Sequence, residues 1–260
     1  MKSRFYTYTV LPQDIDCTAK ARFTSIIRAL LDTAGEDARV NGFGIQPMTR
    51  LNMGWVLSRL AVEIDARPAE HENYTVETWV ADYGSLATHR CFRVLDSRGN
   101  CIGRSVSQWC AIDYTARRPA PLSKLAHLTA GTTTDQPFPC DPPLKIKPFE
   151  AETCFSKTVK YTDIDFNRHM NTLRYLDMLA DALPLEVVTG DNKLRADFHF
   201  VKESVYGEVL NVAKQEETPA GPDGASSYRM SISKADGTLV ILASLSFKAS
   251  FPWAQRRPEC

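Results

Sequence analysis

The residues best suited to chemistry lie in one stretch, YTDIDFNRHMNTLRYLDML (161–179). Asp165, Asn167, His169 and Asn171 alternate through it, so two amides, a carboxylate and an imidazole fall within a few residues. The apolar periodicity that follows predicts a helix, with Tyr161 to Asp165 as a strand end or loop and Asn171 or Thr172 as the N-cap. A helix start supplies unpaired backbone N–H groups and the positive end of the helix dipole. Such a terminus can hold a developing oxyanion. A carboxylate that can take a proton from water, beside an amide and an imidazole, has the makings of an acyl-transfer or hydrolysis site. A second feature is HFVKES (199–204), where Lys202 and Glu203 follow an apolar strand. In a functional reading Glu203 faces Asp165 or His169 across the site and holds a water; in a structural one the two residues are a surface charge pair.

Polar residues before a helix also serve as plain caps, and a comparison inside the chain separates the two uses. Asp14-Ile15-Asp16 recurs 149 residues later as Asp163-Ile164-Asp165. Each is followed by an amphipathic pattern: Phe23, Ile26, Ile27, Leu30, Leu31 and Ala34 in one half, Leu173, Leu176, Leu179, Ala180 and Leu183 in the other. At the same offset Ile27 meets Leu176, Leu30 meets Leu179 and Asp32 meets Asp181. Asp165 keeps its counterpart Asp16, but Asn167 faces Thr18 and His169 faces Lys20. Capping alone would let both halves serve equally. An amide and an imidazole in one half only suit one working site and one degenerate copy.

Each half then turns β-rich. The first offers strands at 55–64, 74–82, 88–96 and 101–113, the second at 194–201, 208–216, 226–234 and 238–249. Ser97 to Asn100 and Asp236-Gly237 mark hairpin turns between the last two strands of each half. The first helix is expected to stop near Gly42 and the second at Pro184. Residues 116–149 are rich in Pro, Thr and Lys, and the prolines of TTTDQPFPCDPP disfavour helix and central strand. They read as a connection with a short helix near Leu122–Leu128. The expected organisation is an N-terminal unit over 1–120, a linker over 121–150 and a C-terminal unit over 151–260. The class is α+β: in each half one long helix with a broad apolar face, wrapped by a curled antiparallel sheet that covers it. Two such units could pair their sheets edge to edge.

Composition narrows the function classes. The 260 residues are 43% hydrophobic, 24% charged and 10% aromatic, an ordinary globular mixture. The 31 basic and 31 acidic residues cancel, so there is no chain-wide basic field for nucleic acid. No stretch approaches the length of a membrane span. The N-terminus MKSRFYTYTV has neither an apolar h-region nor a cleavage site, which reads as a cytosolic chain. The seven cysteines form no CxxC pair, so zinc and redox motifs are unsupported. Cys91, Cys101 and Cys110 fall in strand-like runs and read as small buried hydrophobes.

At these residues the sequence resembles the acyl-acyl-carrier-protein thioesterases over nearly its whole length. D-x-N-x-H-[VM]-N before an amphipathic helix is similar to that family's active-site segment, here Asp165, Asn167, His169, Met170 and Asn171. Lys202-Glu203-Ser204 matches its downstream acidic position. In the first half the matching features are Trp55 opening a strand, Glu77-Thr78-Trp79, the Asp96 to Gly99 turn, Ser107-Gln108-Trp109 and Arg117-Arg118-Pro119. The resemblance implies a tandem hotdog fold, with catalysis in the second half and most of the acyl-chain pocket in the first. It implies hydrolysis of fatty acyl thioesters on acyl carrier protein, with no metal or organic cofactor. Many members place Cys where this chain has Ser204, so a cysteine nucleophile is not available here. Plant members carry a transit segment; this chain begins almost at its first strand and looks like a bacterial version.

The roles expected from this reading are specific. Asp165 is the principal carboxylate, either a general base for water or a nucleophile that would form an anhydride. Asn167 orients Asp165, the water or the substrate. His169 hydrogen-bonds the thioester or polarises the water, and Glu203 shares in positioning or deprotonating it. Trp55, Leu57 and Trp79 are candidates to line the acyl pocket. Arg168 and Arg174, with Arg195 and Lys202 near in sequence, are candidates to meet the acidic carrier protein. A homodimer is compatible with the sequence. The rival readings are an acyl-CoA thioesterase, a hotdog dehydratase, and a non-catalytic acyl-thioester sensor.

Overall fold

A computed structural model describes residues 3–218 and 225–248. Ala249, the end of the last expected strand, the expected unit boundary at 260 and Cys260 lie outside the described residues. Contacts divide the chain between Pro143 and Leu144 into two compact units.

The first unit opens with β1 (Arg4–Thr9), a short 3-10 turn at Pro12–Asp14, α1 (Phe23–Val40) and α2 (Ile45–Arg50). Four long strands follow: β2 (Met53–Ile64), β3 (Asn73–Tyr83), β4 (Ala87–Asp96) and β5 (Cys101–Asp113). A two-residue β6 (Arg118–Pro119) pairs with β5, and α3 (Ala126–Thr129) continues a 3-10 turn at Leu122–Leu125. All pairings are antiparallel, in the order β1-β3-β4-β5-β2. The second unit repeats the plan with β7 (Thr153–Thr158), a 3-10 turn at Tyr161–Asp163, α4 (Thr172–Asp181), α5 (Leu185–Thr189), β8 (Lys193–Phe200), β9 (Val209–Thr218), β10 (Ser226–Lys234) and β11 (Leu239–Lys248). Its order is β7-β9-β10-β11-β8, the same permutation.

The helices sit where periodicity placed them. On α1 Phe23, Ile26, Ile27, Leu30 and Ala34 are buried, at about 1.5–3 kcal/mol for each large aliphatic. Leu31 is only half-buried, and the polar Asp37 is buried instead. The reason is an ion pair across the unit: Arg90 Nη1 on β4 lies 2.6 Å from Asp37 Oδ2, both nearly inaccessible to water. On α4 Tyr175, Leu176, Met178 and Leu179 are buried. The hairpins form at the expected turns, with Gly99 at φ 86° and Gly237 at φ 83°, values a side chain would resist. Leu122 and Leu125 pack with Met48, Met53, Ala111 and Ala120 in one apolar cluster of the first unit. Cys91 and Cys140 are buried, while Cys101 and Cys110 are half-buried. Among the described residues no helix is long and apolar enough to cross a membrane.

Candidate active site

The two units carry the same tight turn before their long helix, and three of its backbone hydrogen bonds recur in each. In the second unit Asp165 N–H donates to the His169 carbonyl (2.8 Å), Arg168 N–H to the Asp165 carbonyl (3.0 Å) and Asn171 N–H to the Asp163 carbonyl (2.7 Å). In the first, Asp16 N–H donates to Lys20 (2.9 Å), Ala19 N–H to Asp16 (3.1 Å) and Arg22 N–H to Asp14 (2.8 Å). Ala19 and Arg168 both take a left-handed φ, 59° and 65°. The inner aspartates do the same structural work. Asp14 Oδ2 accepts Leu11 N–H, and Asp163 Oδ2 accepts Lys160 N–H while Lys157 Nζ lies 2.7 Å from Oδ1.

A second segment closes each turn. Met170 N–H donates to the Ser204 carbonyl at 2.8 Å, and His169 bridges Val205. In the first unit Ala21 N–H donates to the Pro68 carbonyl at 2.8 Å, and Lys20 bridges Ala69. Ser204 therefore occupies the place of Pro68, and Glu203 that of Arg67. The chemistry of the copies diverges here. Arg67 binds Asp16 Oδ2, while Asp16 Oδ1 accepts the Thr18 N–H (2.8 Å) and hydroxyl (2.6 Å). Burial works to raise the Asp16 carboxyl, but the Thr18 hydrogen bonds and the Arg67 guanidinium outweigh it and leave it below the usual range. In the second unit Glu203 Oε2 lies 3.1 Å from His169 Nδ1, with the side chains 45% and 32% exposed. Asp165 Oδ1 accepts Asn167 N–H (2.8 Å) and His169 N–H (3.3 Å). Its Oδ2 has no hydrogen-bond donor among the described residues.

A carboxylate can only accept, so a hydrogen bond across this contact needs the proton on His169 Nδ1 and leaves Nε2 as the ring atom for a substrate or water. Asn167 is exposed, and it meets Asp165 through its backbone N–H. Asn171 caps α4: its Oδ1 accepts Leu173 N–H at 2.9 Å, and its carbonyl accepts Arg174 N–H at 2.9 Å. The expected helix-start donors are thus largely occupied by the cap itself, and the Thr172 amide remains.

The other expected residues lie as follows. Trp55 is half-buried, its Nε1 donating to the Phe43 carbonyl at 2.9 Å. Leu57 is buried. Trp79 is buried with Cys91, Val106 and Cys140, under the Arg93 guanidinium at 5.2 Å from the ring centre. Arg168 is exposed at the tip of the turn, and Arg174 is exposed with Asp177 at 3.3 Å. Arg195, by contrast, is held by Asp197 at 2.8 Å. Sequence reasoning missed Arg67 as the partner of Asp16, and Tyr175, whose hydroxyl accepts Ser204 N–H at 2.9 Å. The signal for Tyr175 was its break, beside the Leu176 match, in an otherwise aliphatic stripe. Among the described residues no three His, Cys, Asp or Glu side chains gather as a metal site.

Comparison with known proteins bears on both halves. Residues 3–125 match the acyl-ACP thioesterase N-terminal domain, and residues 146–248 match the acyl-ACP thioesterase C-terminal domain. The chain is 27% identical over 219 residues to a palmitoyl-acyl carrier protein thioesterase, chloroplastic, of Gossypium hirsutum, covering 78% of this chain and 52% of that one. It is 25% identical over 215 residues to an oleoyl-acyl carrier protein thioesterase, chloroplastic, of Coriandrum sativum, covering 76% and 58%. The chain spans about half the length of the curated relatives it matches. Among solved structures, an acyl-ACP thioesterase from Bacteroides thetaiotaomicron is 28% identical with a TM-score of 0.83, covering 95% of this chain and 98% of that one. A 12:0-ACP thioesterase from Umbellularia californica shares the fold at 16% identity, with a TM-score of 0.83 over 95% and 97%. The fold is the tandem hotdog of these structures, and the chain belongs to the acyl-ACP thioesterase family.

Proposed function

We propose that this protein hydrolyses fatty acyl thioesters of acyl carrier protein, releasing the free acid and the carrier's thiol, with its working site in the second half. The observation that carries the reading is the contrast between the two copies of one turn. In the first an arginine neutralises the aspartate; in the second Glu203 holds an imidazole and Asp165 keeps an open carboxylate oxygen. Family membership supplies the substrate class.

In this reading Asp165 Oδ2 takes a proton from water as the water oxygen bonds to the thioester carbon. The carbonyl oxygen becomes an oxyanion, and the Asn167 carboxamide and the Thr172 amide are the donors left for it. The carbon–sulfur bond then breaks, and the proton that Asp165 took from water passes by way of His169 Nε2 to the departing thiolate. Glu203, on the far side of the ring, stabilises the imidazolium and keeps Nε2 aimed at the sulfur. The first half provides the acyl pocket, with Trp55, Leu57 and Trp79 among its candidate walls, and Arg168 and Arg174 meet the carrier.

The test is free-acid release from carrier-protein thioesters of medium to long acyl chains, with matched acyl-CoAs alongside. Release that favours the carrier substrates supports the proposal. Release from CoA esters alone supports the CoA reading, an enoyl product a dehydratase, and tight binding without release a sensor.

A further inference from the structure

The tie between α4 and the Glu203 segment separates the two copies as sharply as the charged residues do. Ser204 N–H, which belongs to the peptide joining Glu203 to Ser204, donates to the Tyr175 hydroxyl across 29 residues of sequence. Tyr175 is 4% exposed. Burial raises its hydroxyl above the ordinary phenol range, so it stays protonated and neutral and serves as an acceptor through its lone pairs. In the first unit the matching helix position is Ile26 and the matching segment position is Pro68. One has no hydroxyl and the other has no N–H, so both partners are missing together. Yet the first turn keeps the equivalent backbone hydrogen bonds of Asp16, Ala19, Ala21 and Arg22. The turn therefore folds without this tie. The tie occurs in the half where the segment carries a carboxylate set against an imidazole.

We propose that Tyr175 is a positioning residue: its hydroxyl fixes the Glu203–Ser204 peptide and so holds the Glu203 carboxylate on His169 Nδ1. The backbone bonds at Met170 and Val205 place the segment, but neither engages that peptide's N–H. Without the hydroxyl the peptide turns to find another acceptor, because a buried amide left unpaired is costly. Glu203 swings with it, and the imidazole loses the contact that sets its tautomer.

The kinetic part of this inference rests on the thioesterase reading, and the spectroscopic part does not. The variant is Tyr175→Phe, which keeps the buried ring. In the unliganded protein, ring nitrogen NMR should show His169 protonated at Nδ1 in the wild type and moving toward Nε2 protonation in the variant. With an acyl-carrier-protein thioester, kcat should fall about tenfold while KM changes less than about twofold. In a Glu203→Ala background, where there is no carboxylate to hold, adding Tyr175→Phe should leave kcat unchanged. An unaltered His169 tautomer in the variant overturns the proposal. So does a kcat loss that recurs in full without Glu203. If the wild type hydrolyses no thioester, the reaction reading fails, and the tautomer alone decides the role of Tyr175.

Discussion

Asp16 and Asp165 occupy the same place in two copies of one turn, so the same substitution at each should fail in opposite ways. Asp16→Asn keeps an oxygen for the Thr18 N–H and hydroxyl, now at 2.8 and 2.6 Å, but presents an amide or a neutral oxygen to Arg67. The two side chains are 13% and 9% exposed, which leaves the guanidinium buried beside a partner that no longer neutralises it. Removing one member of such a pair costs about 3 kcal/mol, the low end for buried pairs. At about 2–4 °C per kcal/mol, Tm should fall by about 6–12 °C. Turnover should be nearly unchanged, because this copy holds no reacting group. Asp165→Asn keeps an acceptor for the Asn167 and Lys20-equivalent His169 amides and faces no buried cation. Its stability should change by less than about 1 kcal/mol. Its kcat should fall by about 10²–10⁴, the usual worth of a positioned base, or about 3–5 kcal/mol of barrier. Calorimetric Tm and kcat on an acyl-carrier-protein thioester, measured on both variants, give the four numbers needed. An active Asp165→Asn refutes the assignment of the working carboxylate. An Asp16→Asn that loses turnover at an unchanged Tm refutes the reading of the first copy as closed.

Three other outcomes follow. Asp16 and Asp163 are both held below the ordinary carboxylate range: burial opposes this, but Thr18 and Arg67 in one case and Lys157 and the Lys160 amide in the other prevail. The unfolded chain binds more protons in acid, so this stabilisation is complete above about pH 4 and is lost as pH falls through the lower folded values. Tm measured downward from neutral pH should fall in that window, and less steeply for Asp16→Asn. Glu at Arg168 or Arg174 should raise KM for carrier-protein thioesters more than for acyl-CoAs, and equal effects on both would remove the carrier from that surface. Arg90→Met leaves Asp37 buried without its 2.6 Å partner and should destabilise the first unit by about 3–5 kcal/mol in denaturant unfolding; a loss under 1 kcal/mol would mean that Arg4, Tyr6 and Asn41 suffice to hold the charge.

The elements and their duplication are legible in side-chain order alone. Helix and strand periodicities are local properties of side-chain order, so α1, α4 and the eight long strands of β2–β5 and β8–β11 were legible within a few residues. The Asp-Ile-Asp repeat and the one-sided Asn167 and His169 pointed to the site because both copies keep a constant spacing up to the helix. That spacing fails afterwards: 51 residues separate Asp16 from Arg67, but only 38 separate Asp165 from Glu203. The 149-residue offset that aligns the two turns therefore misses both Arg67 with Glu203 and Pro68 with Ser204. Only the tertiary structure, by bringing each strand end back onto its turn, decided that Asp16 is neutralised, that Glu203 meets Nδ1 of His169, and that Tyr175 accepts the Ser204 amide. It also decided that the charged Asp37 is buried on Arg90, because a cation from a strand makes a buried carboxylate tolerable. These are contacts between residues distant in the chain, and their chemistry depends on distance and burial, which side-chain order alone does not encode.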